Sequence, residues 1–167
     1  AEILLDMTGL QTVERSDTIS LAALTEEVFC DLDPVADKHQ IRLIQTEGDC
    51  TVTGSYILLY RAVYNLVENA IKYNRPSGSV TVSIHSAESA VLEVTDTGIG
   101  ISPENQEKIF DPFYRVDKSR SRAMGGAGLG LALVSEIARQ HNGQVKVTQS
   151  SEKGSTIALI LPESTDY

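Results

Sequence analysis

Residues 64–73 of the chain read YNLVENAIKY, and their spacing predicts an amphipathic helix. Asn65, Asn69 and Lys72 stand at i, i+4 and i+7, so they share one face of that helix, while apolar residues such as Leu66 fall on the opposite face. Asparagine is a mediocre helix former. Two asparagines one turn apart therefore indicate either an ordinary solvated face or a row of ligands for a cation and phosphate. Taken alone, this stretch favours the solvated face.

Further helices and strands are predicted on both sides of this segment. The helix itself extends from Ser55, its predicted N-cap, to Tyr73. Apolar residues at helical spacing predict helices over residues 21–40, where Pro34 is a potential break, and over residues 129–140. Alternating runs predict strands at residues 41–46, 50–53, 79–86, 90–96, 144–150 and 155–162. This order predicts an α+β fold: a two-layer α/β sandwich with three helices packed against a mixed, mostly antiparallel sheet of about five strands.

The composition bounds the class of protein. The 167 residues carry a formal net charge of −9, which disfavours nucleic acid as a partner. Cys30 and Cys50 are far apart and lack CxxC spacing, so two free thiols and a reducing cytoplasm are expected. The three histidines lie in separate segments, and a metal site built from Cys and His is not expected. No apolar run is long enough to cross a bilayer. This sequence does not exclude a membrane anchor elsewhere in a longer parent protein.

Two glycine motifs flank a long segment without strong periodicity. Residues 96–100, DTGIG, follow directly on a predicted strand; a carboxylate there suits recognition of a base amino group, although an ordinary Asp/Gly turn has the same sequence. Residues 125–131, GGAGLGL, open the third predicted helix, whose free N–H groups can bind phosphate. A Walker A loop is excluded because Leu131 follows Gly130 where Lys is required. Loops as long as residues 97–127 are usually functional.

The segment between these motifs carries aromatic and basic residues. Residues 109–115, IFDPFYR, place three aromatic residues in the loop, where they can anchor it to the core. Four cations follow within eight residues, Arg115, Lys118, Arg120 and Arg122. On a chain of this negative charge, such a cluster indicates that an anion, most naturally a phosphate, approaches the loop.

In this order, these segments resemble the ATP-binding domain of sensor histidine kinases, within the wider group shared with gyrase, Hsp90 and MutL. The resemblance covers roughly residues 21–162 and implies binding of ATP and Mg²⁺ beneath a long ATP lid. It implies catalytic roles for Asn65, Lys72 and Arg115, and a magnesium ligand in Asn69. Nucleotide contacts are implied for Asn69, Tyr73, Asp96, Gly98, Gly100, Ile101, Phe113, Gly126, Gly128, Leu129, Gly130 and Thr156.

The resemblance also implies partners. None of His39, His85 and His141 has the family's phosphoacceptor motif, and His141 is expected at a helix C-terminus. Transfer of the γ-phosphoryl group to a histidine on a separate dimerisation domain is therefore implied, followed by passage to a response regulator. Residues 1–17 would be the end of a dimerisation helix and a linker, and residues 18–167 the catalytic domain. We expect this chain to be monomeric, and the full-length protein to be a homodimer anchored in the membrane with this domain in the cytoplasm.

One position bears on the type of reaction. ATPases of the wider group place a water-activating glutamate four residues before the metal-binding asparagine, whereas this chain has Asn65 there. The resemblance thus favours a kinase over a hydrolase. Two alternatives stay open at this point, an anti-sigma-factor-type serine kinase and a non-catalytic ATP-binding regulatory module.

Overall fold

The computed structural model describes residues 17–111 and 130–164, which form three helices and seven strands. In chain order these are β1 (Asp17–Ser20), α1 (Leu21–His39), β2 (Arg42–Gln45), β3 (Thr51–Gly54), α2 (Tyr56–Lys72), β4 (Ser79–Ala87), β5 (Ser89–Asp96), α3 (Gly130–Gln140), β6 (Gln144–Ser151) and β7 (Gly154–Leu161). A short 3-10 turn, Lys108–Phe110, follows β5. Within these residues no helix has the length and apolar character needed to cross a membrane.

Five of the strands form one mixed sheet in the order β2-β4-β5-β7-β6. Only β2 and β4 are parallel; every other neighbouring pair is antiparallel. The predicted fold class is confirmed by this sheet and the three helices. The prediction missed β1, which pairs with β3 in a separate two-stranded sheet. As a result, the strands on either side of the turn at residues 47–49 belong to different sheets.

The helices cover one face of the large sheet and bury its alternate residues. On β5 these are Leu92 and Val94, which stand opposite Leu159 and Ile157 of β7. The apolar face of α2 completes the core with Leu59, Val63, Leu66 and Ala70, all at most 4% exposed. Burial of apolar area is the main driving force for this packing. The same alternation places Asp96 and its partner Ser155 on the helix-covered face.

Helix α1 continues through Pro34, where the sequence predicted a potential break. Proline has no N–H, so the carbonyl of Cys30 loses its helical partner. Cys30 and Pro34 are both exposed, so water can solvate that carbonyl. Leu32 and Ala36, on either side of Pro34, are buried in the core and keep the two halves of the helix in place.

Polar contacts from neighbouring segments hold the start of α1. Its N-cap is Ser20, whose Oγ accepts the N–H of Ala23 at 3.2 Å. Asp49 approaches from the β2–β3 turn: its Oδ1 accepts the N–H of Ala22 at 2.9 Å, and its Oδ2 accepts the Ser20 hydroxyl at 2.7 Å. A carboxylate at a helix N-terminus also interacts favourably with the helix dipole.

Strand β3 is a meeting point for the two ends of the described chain. Ser20 of β1 stands opposite Thr51 in the antiparallel pair. The N–H of Ser164 donates to the carbonyl of the same Thr51 at 2.7 Å, and the hydroxyls of Ser164 and Thr53 are 3.3 Å apart. Asp17 reaches further, because its Oδ2 accepts the N–H of Tyr56 in the first turn of α2.

Candidate functional site

The predicted site residues gather where three elements end. The C-terminal half of α2, the end of β5 and the first turn of α3 face one another, because α2 packs against both α3 and β5. The loop after β5 closes one side. Its Ile101 donates an N–H to Ser150 Oγ of β6 at 2.7 Å, and Gln106 Nε2 donates to the Ile101 carbonyl at 3.0 Å.

Asp96 is the half-buried carboxylate at the end of β5. Its Oδ1 accepts the N–H of Gly98 at 2.9 Å and that of Ser155 at 3.3 Å. Burial raises the pKa of Asp96, and these hydrogen bonds oppose the rise without cancelling it. An acceptor fixed in this way and partly removed from water can discriminate strongly in favour of a matching donor.

Ser155, rather than Thr156, is the neighbour of Asp96 on β7. The Ser155 hydroxyl lies 3.4 Å from Asp96 Oδ2, on the face that the helices cover. Thr156 points to the opposite face, where its hydroxyl is 2.9 Å from that of Thr95. The structure therefore turns the Thr156 side chain away from Asp96, since successive side chains of a strand alternate between faces, and the implied nucleotide contact of Thr156 stays a prediction.

Gly98 and Gly100 are both pressed against backbone. A Cβ at Gly98 would lie 2.4 Å from the carbonyl oxygen of Tyr73, and one at Gly100 would lie 2.0 Å from that of Ser151. Gly100 also has a φ of 80°, which a residue with a side chain rarely adopts. The need for glycine here thus follows from close approach of protein segments, so the nucleotide contacts implied for these two residues are not required to explain them.

Two asparagines line the α2 side of the site. Asn65 donates from Nδ2 to the carbonyl of Gly130 at 3.4 Å, which ties α2 to the first residue of α3. Asn69 lies one turn further along, half-buried, and its side chain makes no hydrogen bond to another described residue. Lys72 pairs with Glu68, whose Oε1 is 3.8 Å from Lys72 Nζ. Glu68 therefore has an ionic partner on its own helix.

A hydrogen-bond network that the sequence did not predict joins the ends of α2 and β5. Asn74 Oδ1 accepts the Thr97 hydroxyl at 2.8 Å, and Asn74 Nδ2 donates to the carbonyl of Ser79 at 2.8 Å. Thr97 Oγ1 in turn accepts the N–H of Ser79 at 2.9 Å. This network holds Asn74, whose backbone lies beside Gly98 together with the carbonyl of Tyr73. Asparagine after a helix is too common for the sequence alone to reveal it.

Five predicted residues lie outside the part of the chain that the structure describes. They are Phe113, Arg115, Gly126, Gly128 and Leu129. Of the others, the structure brings Asn65, Gly130 and the Asp96–Gly98 turn to one region with Asn69 and Tyr73 between them. Thr156 points away from that region, to the opposite face of the sheet.

A match to a known family agrees with this arrangement. Residues 54–165 match the histidine kinase-, DNA gyrase B- and HSP90-like ATPase family, and this span includes every described residue of the site. The chain belongs to this family. ATP is the nucleotide expected of an ATPase family of this kind, and the helix-and-sheet layers described above are its fold.

Sensor histidine kinases are prominent among the similar proteins. The sensor-like histidine kinase SenX3 of Mycolicibacterium smegmatis is 38% identical over 169 residues, which cover 98% of this chain and 44% of SenX3. The mycobacterial sensor histidine kinase MprB has a TM-score of 0.74 at 30% identity, covering 89% of this chain and 97% of the solved one. The expected class, an ATP-binding domain of the sensor histidine kinase type, is confirmed. The chain spans less than half of the length of SenX3.

A third similarity concerns the fold alone. Full-length ShkA, solved in complex with AMPPNP, has a TM-score of 0.85 at 24% identity, covering 99% of this chain and 35% of that one. The relatives named as histidine kinases support that class over the serine kinase and regulatory-module alternatives.

Magnesium is the cation expected with ATP, and the donors on α2 fit it. Mg²⁺ keeps several of its waters and usually takes only one or two protein ligands together with phosphate oxygens. Asn69 offers an amide oxygen that no other described residue engages, and Asn65 stands one turn away. Oxygen donors of this kind suit a hard cation held mainly by phosphates.

Proposed function

We propose that this chain binds Mg·ATP at the site between α2, β5 and α3, and transfers the γ-phosphoryl group to a histidine of a separate dimerisation domain. The observation that carries the proposal is Asp96, a half-buried carboxylate held by the N–H groups of Gly98 and Ser155. Adenine offers an exocyclic amino group as the matching donor. The family match and the histidine kinase relatives support the same reaction.

In this proposal the Asp96 end of the site binds the base, and the α2–α3 end binds magnesium and the phosphates. Asp96 accepts a hydrogen bond from the adenine amino group, and Tyr73 and Ile101 border the base. Asn69 would hold magnesium with Asn65 supporting it, and Gly130 would offer a helix N-terminus to the phosphates. Bound magnesium would neutralise negative charge on the phosphates. Lys72 and Arg115 would stabilise charge that develops on the transferred group.

Positioning accounts for most of the proposed catalysis. A neutral imidazole is already nucleophilic, so the enzyme needs no strong base near the γ-phosphate. In-line transfer then depends on alignment of donor and acceptor and on charge stabilisation. The O–P bond to the leaving ADP breaks as the N–P bond to histidine forms.

Calorimetric titration of Mg·ATP into the chain tests the binding step. Wild type should bind in the micromolar-to-millimolar range, and Asp96→Ala should lose that binding. Tight binding that survives the substitution would place the adenine pocket elsewhere. No binding by wild type would contradict the proposal.

The transfer step needs the partner domain. We propose that the full-length protein is a membrane-anchored homodimer whose phosphohistidine supplies a response regulator, as in two-component signalling. Adding a separately made dimerisation domain and Mg·ATP should give acid-labile phosphate on that domain. Acid-stable phosphate would instead indicate a serine kinase, and absence of phosphate despite ATP binding would indicate a regulatory module.

The choice between kinase and hydrolase can be tested at Asn65. Asn65→Glu introduces a carboxylate that can activate water, so we expect a higher basal rate of phosphate release. The matched control is Asn65→Gln, which keeps an amide at similar length. An equal basal rate in both variants and wild type would count against this assignment.

A further inference from the structure

His141 is buried directly after α3, far from the nucleotide site. Its side chain is 8% exposed. Gly130, at the other end of α3, lies roughly 16 Å away by the rise of an 11-residue helix. The predicted position of His141 at a helix C-terminus is confirmed, since its N–H donates to the carbonyl of Ile137 in the last turn.

Both ring nitrogens of His141 have backbone partners. Nδ1 lies 2.8 Å from the carbonyl oxygen of Ile137, and Nε2 lies 3.0 Å from the backbone nitrogen of Ser55. A backbone N–H can only donate, so Nε2 must be the unprotonated acceptor. Nδ1 then carries the proton and donates to Ile137. The contacts therefore select the neutral imidazole with its proton on Nδ1.

The start of α2 is shaped to receive this ring. Ser55 is the N-cap of α2, and its Oγ accepts the N–H of Leu58 at 3.3 Å. Gly54 precedes it and is buried against the imidazole: a Cβ there would lie 2.4 Å from His141 Cδ2 and 2.6 Å from Nε2. Only glycine leaves the space that the His141–Ser55 hydrogen bond requires.

Hydrogen bonds consequently join α2 and α3 near both ends of α3. One runs from Asn65 Nδ2 to the carbonyl of Gly130, and the other from the N–H of Ser55 to His141 Nε2. Between them α3 carries apolar residues into the core, with Val134 and Ile137 fully buried. Apolar contacts are non-directional, so they do not by themselves fix how far α3 slides along α2. Two directed bonds at opposite ends do.

We infer that His141 is a positioning residue for nucleotide binding: it holds α3 in register with α2, and so keeps Gly130 against Asn65 beside the phosphate end of the site. The inference rests on the proposed function, because its main readout is affinity for Mg·ATP. His141 touches no substrate and acts only through α3.

Three variants separate positioning from general stability. His141→Leu keeps the bulk and removes the acceptor for Ser55. His141→Gln can place its Oε1 near the position of Nε2 and restore the bond. Val28→Ala removes buried volume from α1, away from the α2–α3 contact. Affinity for Mg·ATP is measured by calorimetry at a temperature where all variants are folded.

We expect His141→Leu to bind Mg·ATP roughly 2- to 30-fold more weakly than wild type, the range typical of coupling through packed elements. His141→Gln and Val28→Ala should bind like wild type. Equal affinity of His141→Leu and wild type would overturn the inference, as would an equal loss in Val28→Ala. No binding by wild type would defeat the proposed function and this inference together.

Two measurements without nucleotide test the same contacts. Nitrogen NMR of the His141 ring should show the proton on Nδ1; a proton on Nε2 would overturn the assignment. Hydrogen exchange should accelerate at residues 134–137 of α3 in His141→Leu, because these are the first N–H groups bonded within the helix, while α1 stays as in wild type. Unchanged exchange at residues 134–137 would show that α3 is held without His141.

Discussion

At the residue scale, Asp96 combines recognition with a cost to the fold. Burial raises its pKa, so the ionised form is less stable in the folded protein than in water. Such a group favours folding most below its unfolded pKa, and this contribution is lost as pH rises through the higher folded value. Replacing Asp96 by a neutral side chain of the same shape should therefore remove the cost of burying a charge and weaken recognition of the adenine amino group.

Asp96→Asn should accordingly separate stability from binding. Its Oδ1 can still accept the N–H groups of Gly98 and Ser155, so we expect a Tm at pH 7 at least equal to that of wild type. Affinity for ATP should fall roughly 10- to 150-fold, the value of a hydrogen bond to a charged group. Calorimetry and thermal unfolding measure the two effects.

The pH dependence gives an internal check on that variant. The difference in Tm between Asp96→Asn and wild type should grow as pH rises from the ordinary pKa range of aspartate towards neutrality. Only wild type gains a buried charge over this interval. An advantage that shrinks over this interval would contradict the direction of the shift.

Ser155 and Thr156 form a matched pair for a second test. Ser155→Ala removes the hydroxyl beside Asp96 Oδ2 and should weaken ATP binding roughly 2- to 10-fold. Thr156→Val removes only the bond to Thr95 and should cost about 1 kcal/mol of stability with no change in affinity. The opposite order of affinities would mean that the adenine lies on the other face of the sheet.

The sequence could not distinguish these two neighbours. Alternation reveals which side chains of a strand face the core only when one face is polar. In β7 the run from Ser155 to Leu159 is buried on both faces, so its sequence does not show which residues face the helices and which face the other side of the sheet. The position of Asp96 was predictable because it ends an alternating strand just before two glycines, a local signal.

At the element scale, α1 and α2 are joined by tyrosines as well as by the core. Tyr56 and Tyr60 stack with ring centroids 6.3 Å apart, and their hydroxyls donate to Glu27 and Asp31 of α1. Burial, with the bond to Glu27 and the charge of Glu27 adding to it, raises the pKa of Tyr56 to about 12. The pKa of Tyr60 is raised for the same reasons, with Asp31 as partner.

Titration of the tyrosines by ultraviolet absorbance should detect this pairing. The neutral phenol of Tyr56 favours folding below its ordinary pKa of 10, and this contribution is lost as pH rises through about 12. Glu27→Gln should move the titration of Tyr56 towards its ordinary range, whereas Glu26→Gln, an exposed neighbour on α1, should not. An unchanged curve in Glu27→Gln would contradict the assignment.

Helix ends were predicted well because their signals are local. Ser55 was identified as an N-cap, and its Oγ does accept the N–H of Leu58. The path of α1 through Pro34 was not predictable, since it depends on packing of Leu32 and Ala36 against distant elements.

At the scale of the whole molecule, the two layers followed from element order, and the pairing of the short strands did not. Hairpins β4–β5 and β6–β7 join strands that are neighbours in sequence, and all four strands were predicted. The pairs β1–β3 and β2–β4 join residues that are at least 31 positions apart, the separation of Ser20 and Thr51; in β2–β4 the separation is 37, as between Leu43 and Val80. Such pairs are set by the global fold, which no local pattern encodes.

The convergence on β3 has a consequence for how the chain can be rewired. Because Asp17 stands opposite Gly54 and Ser164 contacts Thr51 and Thr53, both ends of the described chain lie along β3, and a short Gly/Ser linker should be able to join them. New termini could then open at Glu88, exposed in the tight turn between β4 and β5. We expect this circular permutant to fold with a wild-type circular dichroism spectrum and to bind Mg·ATP, since no strand or site residue is cut. A spectrum without the helix and strand signals of wild type would show that the domain needs the natural order of its segments along the chain as well as their contacts.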